Sequence, residues 1–133
     1  MQGLAEFIRE GYEAMNRRDF DAALARMRPD VVWENDSGGP EGATRYVGRE
    51  EVLGFWKEFF GVWDRYRFEL LEVVEAGPDL AVARTLLKTW MRGADEPVSM
   101  QTSYVWTIRD DEACHVGLYF NHGDALKAAG LSE

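Results

Sequence analysis

Cysteine, basic residues and long apolar stretches are all scarce in this sequence. Cys114 is the only cysteine, so no disulfide can form within the chain. Lysine and arginine together number 15 against 24 acidic residues, which gives a formal charge of −9. A field of that sign repels phosphates and anionic headgroups, so we expect neither nucleic acid nor a membrane as a partner.

Signals that would direct the chain into or across a membrane are also lacking. No apolar run approaches the roughly 18 residues that a transmembrane helix needs. The first residues show neither the basic nor the apolar part of a secretion signal. A cytoplasmic location is therefore expected.

The overall composition is typical of a folded globular protein. Aliphatic and aromatic residues make up 46% of the 133 residues, and charged residues make up 29%. A chain of this length has room for one core. We therefore expect a single domain over residues 1–133.

Helical spacing of apolar residues predicts two helices at the start of the chain and one in its middle. The first carries Leu4, Phe7, Ile8, Tyr12 and Met15 on one face. The second follows Asp19, a plausible N-cap, and carries Phe20, Ala23, Leu24 and Met27 before Pro29. The third begins at Arg49 and presents an aromatic face of Phe55, Trp56, Phe59, Phe60 and Trp63.

Alternating patterns predict strands between and after these helices. A short strand at 31–34 leads into a loop from Asn35 to Val47. The pattern from Tyr66 changes phase near Leu70, which predicts a β-bulge, and strands at 80–91, 98–108 and 116–120 follow. A closing helix at 123–129 is stopped by Gly130. The predicted order is ααβαββββα, an α+β fold.

Two stretches resemble the SnoaL-like members of the nuclear transport factor 2-like superfamily. The segment from Tyr104 to Leu131 is similar to the last hairpin and tail of these proteins, and Val47 to Val52 is similar to the entry of their third helix. The resemblance implies a cone, in which helices wrap a curved mixed or antiparallel sheet around a small-molecule pocket. It also implies a homodimer through the outer face of the sheet. The fold serves many functions, so it does not imply one of them.

The resemblance implies that the acid and base positions of the family enzymes are largely missing here. The resemblance places the base of the ketosteroid isomerases on Asn35, whose amide cannot take a proton, and their acid on Tyr104. Their helix tyrosine falls close to Tyr12. The essential aspartate of polyketide cyclases and limonene epoxide hydrolases falls on Leu118, and further hydrolase residues fall near Leu86 and Lys88.

Two functions therefore stay open. A small-molecule isomerase, cyclase or hydrolase would use Glu34 or Asp36 as its base and Tyr104 as a hydrogen-bond donor. A binding protein would instead hold the polar end of an apolar ligand with Asn35, Thr102 and Tyr104, and an adaptor without a ligand is a third alternative. In the variant Asn35→Asp, burial is expected to raise the pKa of the new carboxyl group toward the range in which a general base is effective.

The expected pocket combines these polar side chains with an apolar wall. Its predicted ligand-binding residues are Tyr12, Trp33, Asn35, Phe55, Phe59, Thr102, Tyr104, Trp106, Leu118 and Phe120. His115 and His122 lack the neighbours of a metal site, and no motif indicates a cofactor.

The strand at 98–108 supports two further predictions. Its even-numbered residues, from Met100 to Ile108, are apolar or aromatic except for Thr102 and are expected to face the core. The opposite face is expected to form the dimer surface, with Gln101, Ser103, Val105 and Thr107.

Overall fold

The computed structural model describes residues 3–36 and 43–131. Its helices and strands follow the predicted order, with one additional short strand, β2. The elements are α1 (Leu4–Asn16), α2 (Phe20–Ala25), β1 (Met27–Asn35), β2 (Thr44–Val47), α3 (Arg49–Gly61), β3 (Arg65–Glu75), β4 (Leu80–Trp90), β5 (Val98–Arg109), β6 (Glu112–Tyr119) and α4 (His122–Ala128).

The six described strands form one mixed sheet in the order β2-β1-β6-β5-β4-β3. Strand β1 runs parallel to β6, and the other neighbours are antiparallel. The register of β3 shifts between Leu70 and Glu72, where the bulge was predicted. The α+β fold with a mixed sheet is therefore confirmed.

Helix boundaries follow the local sequence closely. The Asp19 carboxylate accepts a hydrogen bond from the Ala22 amide at 3.1 Å and caps α2 as predicted. Met27 was predicted to lie in this helix, but it begins β1, and only 2% of it is exposed. A core-facing strand residue can continue the burial pattern of the helix before it, which explains this error.

Helices cover the two faces of the sheet unequally. The main core joins α1, α2 and α3 to the inner side of the sheet, which we call the concave face. A smaller cluster packs α4 on the opposite, convex face through Val82, Val105, Ala125 and Ala129. None of the described helices is long and apolar enough to cross a membrane.

The side chains of β5 alternate between the two faces of the sheet as predicted. However, residues on both faces are buried. Tyr104, Trp106 and Ile108 belong to the main core on the concave face. On the convex face Ser103 is only 2% exposed and Val105 only 7%, because α4 covers them. The predicted dimer surface is therefore wrong at these two positions.

Candidate functional site

A small cavity lies where α1, α2 and α3 meet the concave face. Its volume of about 30 Å³ accommodates a water molecule but is far below the roughly 150 Å³ that admits benzene. The described residues that line it are Phe7, Gly11, Tyr12, Met15, Ala23, Arg26, Met27, Trp33, Trp56, Tyr104, Trp106 and Ala113.

Aromatic residues make up half of the described cavity lining, and most of their rings pack on one another. The Tyr12 ring lies 5.6 Å from Tyr104 and 5.9 Å from Trp106, both edge to face. Trp33 lies 5.7 Å from Trp56 and 5.9 Å from Tyr104, again edge to face. This geometry is favourable for aromatic pairs and fixes the shape of the wall.

Two tyrosine hydroxyls lie within this aromatic cluster. The Trp106 indole donates to the Tyr12 hydroxyl at 3.3 Å, and Tyr104 is hydrogen-bonded to Thr102. Burial raises the pKa of Tyr12 and of Tyr104 well above the usual value for a tyrosine. Both side chains therefore stay protonated at neutral pH, where they can donate a hydrogen bond but cannot act as bases.

Thr102 is engaged by the neighbouring strand. Its hydroxyl lies 2.6 Å from the Thr85 hydroxyl, which also reaches the Thr102 carbonyl at 3.1 Å. The two residues face each other across β4 and β5. Thr102 thus links two strands and Tyr104, and it does not line the cavity.

Asn35 joins β1 to β2. Its carbonyl oxygen accepts from the Trp33 indole at 2.9 Å, and its amide group donates to the Thr44 hydroxyl at 2.9 Å. Thr44 is also its register partner in the sheet. Asn35 therefore orients Trp33 and secures the strand pair, and it does not line the cavity.

The two acids proposed as bases do not line the cavity either. Glu34 lies on the convex face, where its carboxylate is 2.7 Å from His115 Nε2. The pKa of Tyr119 is raised, mainly by burial and further by the negative charges of Asp36, Glu34 and Asp124. Asp36 therefore lies near the Tyr119 ring. Glu34 is directed away from the cavity because it alternates with the inward-facing Trp33.

The other predicted wall residues pack around the cavity without lining it. Phe55 stacks on Tyr46 at 4.8 Å and on Phe59 at 5.5 Å, close to β2. Leu118 is buried in the main core, and Phe120 is half-buried against it. The structure thus brings four predicted residues together at the cavity: Tyr12, Trp33, Tyr104 and Trp106.

Two polar groups at the cavity were missed by sequence reasoning. Within residues 3–36 and 43–131, the Trp56 indole nitrogen and Arg26 Nε are buried with no hydrogen-bond partner. An unsatisfied buried donor costs about 1–3 kcal/mol. Trp56 appeared only as one aromatic of the α3 face, and Arg26 was not singled out. Sequence alone gave no sign that these two residues line one cavity.

The remaining charged and imidazole groups of interest lie on the convex face. Lys88 pairs with Glu69 at 2.8 Å, and the His122 Nδ1 atom lies 2.8 Å from the buried Ser103 hydroxyl. Arg84 faces the same side, and its Nε is also buried without a partner among the described residues. No group of three potential metal ligands occurs in the described part of the chain.

Comparisons with known proteins agree with this architecture. The profile of the SnoaL-like domain matches residues 8–116. No curated protein sequence gives a significant match.

Solved structures share the fold at low identity. An NTF2-like protein of unknown function from Burkholderia pseudomallei has a TM-score of 0.77 and 23% identity, over 96% of this chain and 97% of that one. A ketosteroid isomerase-like protein from Catenulispora acidiphila, in complex with trimethylamine, has a TM-score of 0.74 and 16% identity, over 98% and 95%. A Mycobacterium tuberculosis protein in complex with estradiol-17beta-hemisuccinate has a TM-score of 0.72 and 18% identity, over 88% and 92%.

Proposed function

The chain belongs to the SnoaL-like domain family of the nuclear transport factor 2-like superfamily, and from this membership we propose that it binds a small apolar molecule in the cavity of the cone without transforming it. The observation that carries this proposal is the composition of the cavity wall. Among the described lining residues there is no carboxylate and no imidazole. Proton abstraction needs such a base within hydrogen-bond reach, so the wall is suited to binding.

The nature of the wall also indicates the class of ligand. Aromatic and aliphatic side chains dominate it, as in most small-molecule sites. Complexes of two structural relatives with trimethylamine and with estradiol-17beta-hemisuccinate support small-molecule binding by this fold.

A ligand larger than water has to enlarge the cavity. Met15 and Met27 line it, and unbranched thioether side chains change rotamer at low cost. These two residues are therefore the proposed movable part of the wall, while the interlocked rings are its fixed part.

Ligand-observed NMR with a panel of apolar fragments tests this proposal. We expect saturation transfer from the protein to several fragments with ring-sized apolar bodies. Addition of an excess of one binding fragment should reduce the transfer to the others, because a single cavity is shared. Failure of every fragment to bind would contradict the proposal.

We further propose that the protein is a cytoplasmic homodimer without a nucleic-acid partner. The part of the convex face that carries Leu86 and Gln101, together with Leu71 at the neighbouring bulge, is the proposed contact, since Leu71 is 44% exposed and Gln101 is exposed. Light scattering should report twice the mass of the chain, and Leu71→Glu should shift the population toward monomer. A wild-type monomer at every concentration would contradict this dimer.

A further inference from the structure

The indole of Trp56 is the best-defined unpaired polar group in the cone. The residue lies on α3, is only 2% exposed, and lines the cavity. Its nitrogen has no hydrogen-bond partner among the described residues. By contrast, the indoles of Trp33 and Trp106 donate to Asn35 and Tyr12. Buried indole nitrogens usually find a partner, so this donor calls for a complementary atom.

Arg26 lines the same cavity and carries a second buried donor that has no partner among the described residues. One terminal nitrogen donates to the Phe7 carbonyl at 2.7 Å, and the other lies 3.3 Å from the Glu10 carboxylate. These contacts fix the orientation of the guanidinium, and its Nε stays buried without a partner in the described chain. Nε also lies beside Gly11, where an added Cβ would be 3.9 Å away. An alanine at this position would bring a methyl group into ordinary van der Waals contact with Nε.

The chemistry of these two groups defines what they can bind. An indole N–H and a guanidinium N–H donate hydrogen bonds and accept none. A ligand atom that satisfies them has to be an acceptor, and a carbonyl-type oxygen has two lone pairs for two donors. The guanidinium charge disfavours a cationic end.

We propose that Trp56 and Arg26 bind a carbonyl-type oxygen, of a ketone or a carboxylate, at the polar end of the apolar ligand; this inference rests on the proposed binding function. The polar end thus lies between α3 and the α2–β1 junction. Asn35 and Thr102, which use their polar groups within the protein, do not hold it.

Three matched probes test this inference by NMR of the indole N–H groups. Cyclopentanone and methylenecyclopentane have nearly the same shape, but the first carries an oxygen where the second carries a CH₂ group. Cyclopentanecarboxylate carries a negatively charged acceptor. The five tryptophans give five indole signals. Loss of one signal in Trp56→Phe assigns Trp56, and if that variant does not fold, Phe substitutions of the other four assign it by elimination.

We expect the Trp56 indole proton to move downfield with cyclopentanone and not with methylenecyclopentane. Trp33 and Trp106 serve as internal controls because their indoles already have acceptors. The ketone should bind about tenfold more tightly than the hydrocarbon, and Trp56→Phe should remove this preference. A stronger response to the carboxylate would identify an anionic ligand, and a stronger response to the ketone would identify a neutral one.

The outcomes separate this inference from the binding function itself. If cyclopentanone and methylenecyclopentane bind equally and the Trp56 signal responds equally to them, the proposed acceptor site is wrong. The proposal that the cavity binds apolar molecules still holds in that case. If no probe binds, the proposed function fails and the inference fails with it.

Discussion

Neighbouring residues of β1 meet opposite environments on the two faces of the sheet. Trp33 packs against Trp56 and Tyr104 on the concave face, whereas Glu34 pairs with His115 on the convex face. The same division holds on β5, where Tyr104 faces the cavity and Ser103 meets His122.

The difference between the faces shows which chemistry each can support. Among the described residues, the cavity on the concave face is lined mainly by aromatic and aliphatic side chains, while Glu34, His115 and His122 lie on the other side. A charged base would be destabilised by desolvation in the concave interior, and no described carboxylate or imidazole lines the cavity. This arrangement is the basis of the proposed binding function.

The largest expected effect is the lack of turnover in a catalytic assay, because the described carboxylates proposed as bases do not line the cavity. On a β,γ-unsaturated ketosteroid, we expect no turnover by the wild type above the buffer rate. A positioned general base contributes about 10²- to 10⁴-fold, and no described carboxylate lines the cavity. Glu34→Gln and Asp36→Asn are the controls, and efficient wild-type turnover that either substitution abolishes would overturn the comparison.

The structure also changes the expectation for Asn35→Asp. A carboxylate there would accept hydrogen bonds from Trp33 and Thr44, the present partners of the amide. Donors to the charged form lower a carboxyl pKa, which opposes the rise expected from burial alone. We therefore expect this variant to remain inactive in the same assay, and a clear gain of turnover would show that the side chain reaches the substrate.

Matched leucine substitutions test the burial of the two faces. Leu87 on the concave face is 1% exposed, and Leu71 at the bulge is 44% exposed. Leu87→Ala should lower the free energy of unfolding by about 2–5 kcal/mol, and Leu71→Ala by less than about 0.5 kcal/mol. Chemical denaturation measures both, and similar losses would contradict the burial assigned to these two leucines.

The pH dependence of stability tests the raised pKa of the buried Tyr66 hydroxyl. Burial raises the pKa of Tyr66 to about 12, and its hydroxyl donates to the Met15 carbonyl. Below pH 10 the residue is protonated in both states, so its full contribution is present. Between pH 10 and pH 12 the unfolded chain loses the proton first, and the free energy of unfolding falls.

For Tyr66 this loss should be on the order of 1 kcal/mol at pH 11. Denaturation of wild type and Tyr66→Phe at pH 8 and pH 11 measures it, because the variant lacks the ionisable group. The stability difference between them should shrink at the higher pH. A difference that stays constant would contradict the raised pKa.

A glycine pair gives the smallest and most specific contrast. Gly11→Ala places a methyl group beside Arg26 Nε at the cavity, whereas Gly54→Ala on α3 meets no atom within 4 Å. Both should stabilise their helices by up to about 1 kcal/mol. Only Gly11→Ala should weaken binding of cyclopentanone in a calorimetric titration, and equal affinities of the two variants would place the ligand elsewhere.

Sequence reasoning recovered the fold because periodicity and turn chemistry are local. The bulge at Leu70, the Asp19 cap and the inward face of β5 all follow from residue spacing. It did not recover β2, whose four residues, Thr44–Val47, follow a stretch of sequence rich in turn-forming residues.

The site was only partly predictable, since its polar groups depend on contacts between distant elements. Tyr12 and Tyr104 were found because they match family positions. Asn35 and Thr102 looked like ligand anchors, yet neighbouring strands use their polar groups. The free donor of Trp56 is a property of packing, which no spacing in the sequence reveals.

Contacts between bound cyclopentanone and methionine methyl groups test the central claim most directly. With ¹³C-labelled methyl groups, intermolecular NOEs are predicted from the ligand to Met15 and Met27, which line the cavity. Met91 is 52% exposed and serves as the control for surface binding. NOEs to Met15 and Met27 alone would place the ligand inside the cone, whereas NOEs to Met91, or to neither cavity methionine, would contradict the account.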